Sequence, residues 1–137
     1  MGKFFNVRSS EKFQKGWLAY PTFGNVFTKG TWKSELSEGV YEEKNHVVKG
    51  RYAFDAFIGS DLENILRENN VKNLFLCGFT TDQCVAKTMR TAIEKGFHCY
   101  LVSDCTATMN CFFQWKTERK FRGKTVTYVD VLNGLKA

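Results

Sequence analysis

An apolar run that stops at a glycine and gives way at once to helical spacing limits this chain to a small set of folds. Leu74-Phe75-Leu76-Cys77 is short, apolar and closed by Gly78, which predicts a buried parallel strand over about 73–77. Val85, Met89, Ala92 and Ile93 then recur at helical spacing, predicting a helix over about 82–95 with Gly96 as its stop. A second strand is predicted at about 98–103, so residues 73–103 read as a βαβ unit. A crossover of this length requires parallel strands, and the connection is expected to be right-handed. The fold class is α/β.

The junction between strand and helix is Gly78-Phe79-Thr80-Thr81-Asp82-Gln83-Cys84. A cysteine in the first turn of a helix lies among backbone N–H groups with no intrahelical partner, at the positive end of the helix dipole. Both features favour thiolate over thiol, and the same N–H groups can hold an oxyanion. The competing reading is packing, because free cysteine is among the most buried residue types, and Cys77, Cys99, Cys105 and Cys111 invite that reading too. Asp82 reads as the helix cap rather than as a proton carrier.

Around this unit the texture is less regular. Residues 1 to about 40 are aromatic and interrupted by Gly16, Pro21, Gly24, Gly30 and Gly39, so loop and short extended pieces are expected. Val47-Val48 suggests a short strand, and Ser60-Asp61 a cap for a helix carrying Leu62, Ile65 and Leu66. A polar turn is predicted after Asp104, then a short helix through Phe112, Phe113, Trp115 and Lys116, a last strand over Thr125–Val129 and a helical turn over 130–135. In open α/β sheets ligands bind at the carboxyl ends of the strands, where the Cys84 and Asp104 turns fall. Neither GxGxxG nor GxxxxGK[ST] occurs, so a dinucleotide or nucleoside triphosphate is not indicated and no cofactor is expected.

A length of 137 residues with 43% hydrophobic content suits one domain spanning 1–137, with residues 1–20 an atypical N-terminal segment. Five cysteines without a CxxC pair argue against a disulfide framework or zinc ribbon, and a reducing, cytoplasmic setting is expected. No apolar run is long enough to cross a bilayer, so no membrane partner is expected. The net charge of +6 directs attention to Lys116, Arg119, Lys120, Arg122 and Lys124, with Trp115 and Phe121 interleaved. Glu118 interrupts the stretch and no nucleic-acid-binding signature accompanies it, so a solvated helix face followed by a basic loop is expected instead. His46 and His98 lack ligand spacing, read as strand-edge residues, and leave no metal site in prospect.

The stretch GFTTDQCVAKTMRTAIEKGFHCYLVSDCTAT, from Gly78 to Thr108, resembles the signature of the isochorismatase-like cysteine hydrolases, a family that includes nicotinamidases and ureidoacrylate amidohydrolases. Phe27–Trp32 and Asp55–Leu62 are similar to the family's middle segment, so the resemblance covers roughly residues 20–135. It implies a Rossmann-like three-layer fold with a mostly parallel sheet and flanking helices. It also implies hydrolysis of a C–N bond in a small-molecule amide, ureide or related substrate, with Cys84 as nucleophile and a covalent intermediate. Backbone N–H groups of Thr80 and Cys84 would form the oxyanion hole, beside a non-proline cis peptide between Phe79 and Thr80.

The family triad is Asp, Lys and Cys. Counting six positions back from Phe57 reaches Arg51 rather than lysine. Lys49, two residues earlier and on the same face if the strand continues, is the alternative cation. The family's aspartate closes an apolar first strand, and this sequence has no aspartate before Asp55, so the fold is expected to be N-terminally incomplete. A missing central strand leaves unpaired edges, which favours a homo-oligomer. The alternative function is a catalytically impaired homologue serving as a binding or oligomerisation module. Phe23, Trp32, Phe54 and Phe57 are candidates for an aromatic substrate pocket, with simple core packing as the other reading.

Overall fold

The structure, a computed structural model, describes residues 5–7, 46–51 and 53–136. The chain divides into two compact units, Met1–Arg67 and Glu68–Ala137.

In the first unit, β1 (Phe5–Val7) pairs in parallel with β2 (His46–Val48), with Phe5 opposite His46 and Val7 opposite Val48. Val48 is buried and β2 stops there. The loop that follows is tied to the start of α1 (Leu62–Glu68): the Lys49 N–H donates to Asp61 Oδ1 at 2.8 Å, and the Asp61 N–H returns to the Lys49 carbonyl at 3.2 Å. Ser60 caps α1 as its sequence predicts, its Oγ accepting from the Leu62 N–H at 3.3 Å. Leu62 and Leu66, on one face of the helix, are buried. Gly50 has φ +86°, and a Cβ there would lie 2.4 Å from the Gly59 carbonyl oxygen, so both backbone geometry and space require glycine.

The second unit is built on a three-stranded parallel sheet in the order β3-β4-β5: Asn73–Phe79, His98–Ala107 and Thr125–Val126. Between β3 and β4 the chain forms one turn of π-helix, Thr81–Val85, that runs directly into α2 (Ala86–Glu94). Helices α3 (Cys111–Lys120) and α4 (Tyr128–Lys136) precede and follow β5. This is the α/β class with a parallel sheet and flanking helices. The core is the central strand against α2: Cys99, Leu101 and Val102 from β4, with Met89 and Ala92 from the helix. Helix α2 ends in a Schellman arrangement in which the Gly96 N–H donates to Ile93 O and the Phe97 N–H to Ala92 O, both at 3.0 Å. Gly96 at φ +88° supplies the left-handed residue that this ending needs.

Four expectations change. Strand β3 is not buried: Leu74 and Leu76 are half-buried while Phe75, Cys77 and Phe79 are exposed, because β3 pairs only with β4 among the described strands. Asp104 is not in a turn, since β4 runs on to Ala107, with Gly78 and Phe79 opposite Thr106 and Ala107; the turn comes at 108–110. The helix after it extends to Lys120, with Asn110 as its cap accepting from the Phe113 N–H at 3.0 Å. The last strand stops at Val126 because Thr127 and Asp130 form a capping box. Asp130 Oδ2 accepts from both the N–H and the hydroxyl of Thr127, at 2.8 and 2.7 Å, while Thr127 Oγ1 accepts from the Asp130 N–H at 3.3 Å.

Leu101 and Met89 are both 0% exposed. Truncating either to alanine is expected to cost about 2–5 kcal/mol, whereas Phe112→Ala at a 58% exposed position stays within about 0.5 kcal/mol, measured by urea denaturation. The Thr127 bonds hold the Asp130 carboxyl below its ordinary range, with a small opposing effect of burial. A lowered folded-state pKa contributes stability that is fully present above the unfolded value of about 3.9 and is lost as pH falls through the folded one. Fraying at the start of α4 is therefore expected only on acidification below that range, read as faster Thr127 amide exchange, and Asp130→Asn should show it at neutral pH.

Candidate active site

Cys84 is the fourth residue of the π-helical turn, half-buried, at the carboxyl end of β3. The turn is defined by long-range closure, with the Val85 N–H donating to Thr80 O at 3.1 Å and the Ala86 N–H reaching back to Thr81 O. Such single π turns recur at functional sites. The peptide bond between Phe79 and Thr80 is cis, at the junction for which the resemblance implies one.

Two side-chain links hold the turn from outside. Thr81 is 0% exposed, and its hydroxyl donates to Gln114 Oε1 on α3 at 2.7 Å. The Gln114 amide in turn donates to Glu118 Oε1 at 2.7 Å and, more weakly, to Thr106 Oγ1 at 3.4 Å. Asp82 is half-buried and accepts a hydrogen bond from the Thr108 hydroxyl just beyond β4. Asp82 therefore does not cap the helix as expected: Thr80 is the N-cap position and no side-chain cap bond is made there. The carboxylate points instead to the neighbouring strand end, a partner invisible to local sequence. Asp104 has a comparable structural task, its Oδ1 accepting from the Tyr128 N–H at 2.8 Å where α4 begins.

The other candidates belong to the first unit. Lys49 is exposed. Its expected alternation with Arg51 fails, because β2 ends at Val48 and Gly50 at φ +86° turns the chain between them. Arg51 spends its guanidinium on the loop, Nε donating to Ala53 O at 2.9 Å and Nη2 to Phe54 O at 2.8 Å. Phe54 and Phe57 are half-buried in that loop, where the Phe57 N–H donates to Asp55 Oδ1 at 2.9 Å. Phe23 and Trp32 lie outside the described residues. A 490 Å³ surface cavity is lined by Trp115, Glu118, Arg119, Arg122, Gly123 and Thr125, none of them a predicted pocket residue.

Of the remaining cysteines only Cys99 is a core residue, its thiol pushed up to about 11 by burial, against a smaller opposite influence of Lys124. Cys77, Cys105 and Cys111 are exposed, so the packing explanation fails for them. His46 and His98 are exposed and open β2 and β4. Among the described residues no group of three or more His, Cys, Asp and Glu side chains is arranged to hold a metal ion, and no helix is long and apolar enough to cross a membrane. In the basic stretch, Phe121 is buried and Arg119 lies 5.3 Å from the centre of the Trp115 ring, as in a helix face with a following loop. Sequence reasoning missed Thr81, Gln114 and Thr108. Their polar character gave no signal by itself, because the partner in each link is 26 or 33 residues away.

A parallel sheet with flanking helices and a cysteine on the turn leaving a strand defines an α/β fold with a candidate nucleophile. Residues 8–127 match the isochorismatase domain, and the chain belongs to the isochorismatase family. It is 33% identical over 90 residues to the uncharacterized isochorismatase family protein YddQ of Bacillus subtilis, covering 64% of this chain and 50% of that protein. It is 28% identical over 83 residues to the ureidoacrylate amidohydrolase RutB of Azorhizobium caulinodans, covering 61% of this chain and 37% of the relative. The chain thus spans half or less of the length of these curated relatives. Among solved structures, an isochorismatase-like hydrolase from Alkaliphilus metalliredigens matches with a TM-score of 0.83 at 20% identity, over 97% of this chain and 72% of that one.

Gln114→Leu leaves the buried Thr81 hydroxyl without its partner and is expected to cost about 1–3 kcal/mol by urea denaturation. Thr81→Val combined with Gln114→Leu removes both partners, and the double variant should lose less than the sum of the two single changes.

Proposed function

We propose that this chain carries the nucleophile of a cysteine hydrolase that cleaves a C–N bond in a small-molecule amide, ureide or related substrate. The observation that carries this reading is the placement of Cys84 on a strand-to-helix turn pinned by the Thr81–Gln114 and Asp82–Thr108 bonds. Similarity to a ureidoacrylate amidohydrolase supports the substrate class. In the proposed reaction the Cys84 sulfur attacks the carbonyl carbon. Backbone N–H groups of Thr80 and Cys84 hold the oxygen as it gains charge, the nitrogen leaves with a proton, and water then releases the acyl group. Of the two cationic candidates, Arg51 has its guanidinium engaged by the Ala53 and Phe54 carbonyls and cannot give up a proton near neutral pH, so Lys49 is the one suited to proton exchange.

The family's aspartate has no counterpart among residues 1–54 of this sequence. A general acid/base of that kind is worth about two to four orders of magnitude in turnover. The second reading, a homologue that serves in assembly, is favoured by one observation: Phe79 is 63% exposed beside the candidate site.

The test is alkylation and acyl trapping on the purified chain. Cys84 should alkylate faster than the other four cysteines at neutral pH, and an amide or ureide panel should leave an acyl adduct on Cys84 visible by mass spectrometry. Cys84→Ala should abolish both adduct and hydrolysis with an unchanged urea midpoint. Equal alkylation of all five cysteines with no adduct sinks the hydrolase reading in favour of assembly.

A further inference from the structure

Two exposed thiols outside the proposed chemistry stand side by side at the base of the nucleophile turn. Gly78 pairs with Thr106 and Phe79 with Ala107, and Cys77 and Cys105 are the residues directly before the first of these pairs. Before that point Leu76 pairs with Leu101, so residues 102–105 of β4 stand against the single residue Cys77 of β3. At the Gly78–Thr106 pair neighbouring strands lie about 4.7–4.9 Å apart, inside the roughly 4.4–6.8 Å Cα separation that a disulfide spans, and the two cysteines adjoin that pair. The Cys105 thiol also acts electrostatically on Cys77, as expected for side chains that lie close together. Both residues are free and exposed.

We propose that Cys77 and Cys105 are a modification site, closing to a reversible intrachain disulfide by exchange with a small-molecule disulfide and clamping the end of β3, from which the nucleophile turn extends, to the end of β4. Partial desolvation beside the Cys105 thiol pushes the Cys77 thiol up to about 11, which makes Cys77 a slow first nucleophile and assigns the first attack to Cys105. The Cys105 sulfur displaces one small thiol and forms a mixed disulfide. The Cys77 sulfur then attacks the Cys105 sulfur and releases the second small thiol. The two protein protons end on the two released thiols, and the protein loses the two electrons that the small disulfide gains. The crosslink lies one residue before Gly78 on one strand and one before Thr106 on the other, whose hydroxyl accepts from Gln114.

The experiment incubates the purified chain with oxidised glutathione, alkylates the remaining thiols, digests without reduction, and locates crosslinks by fragmentation. The expected result is one Cys77–Cys105 crosslink that dithiothreitol reverses, a loss of two from the five free cysteines, and slower amide exchange over residues 78–80. Cys105→Ser should leave Cys77 alkylatable after the same treatment. Alkylation of both Cys77 and Cys105 in the oxidised wild-type chain overturns the proposal. So does a crosslink that uses Cys84 or Cys111 instead, or exchange over 78–80 that oxidation leaves unchanged.

Discussion

The Thr81 hydroxyl is out of contact with solvent, and it donates to the Gln114 carboxamide on a different helix. That bond joins the nucleophile turn to α3, and through the Gln114 amide to Glu118 and Thr106 as well. A buried hydroxyl must be satisfied, so α3 cannot shift along the sheet without stranding it. The position of Cys84 therefore follows from where α3 docks. Asp82 and Thr108 make a second link of the same kind on the other side of the turn.

The central strand supplies the rigid element in this arrangement. Its first half is the buried core, with Cys99, Leu101 and Val102 packed and α2 laid against it. Its second half is polar and exposed, and supplies hydrogen-bonding groups: Thr106 to Gln114 and Asp104 to the first N–H of α4. The irregular register at residues 102–105 separates the two halves. One strand thus builds the core and then organises the site, with the change of task marked by extra residues against β3.

Much of this was legible. The βαβ unit, its parallel pairing, the stop at Gly96 and the caps at Ser60 follow from spacing and local chemistry that act within a few residues. The Thr127-x-x-Asp130 capping box was equally local and was hidden only by the β-branched run before it, which reads as strand until the box is recognised. The polar end of β4 reads as a turn because Asp104 has weak strand preference and the residues around it are polar. They are strand because Gly78 and Phe79 pair with Thr106 and Ala107.

The sequence by itself determined where the nucleophile candidate stands, since a glycine closing an apolar run and a helical repeat beginning beyond it are effects of neighbouring residues. It also determined the family, because the residues from Gly78 to Thr108 carry enough specific order. Only the tertiary structure decided what Asp82, Asp104 and Arg51 do. Each is a polar side chain with several possible partners, and a hydrogen bond forms with whichever group the fold brings within about 3 Å. Distance in space, unlike periodicity, is not written in any short stretch of the chain.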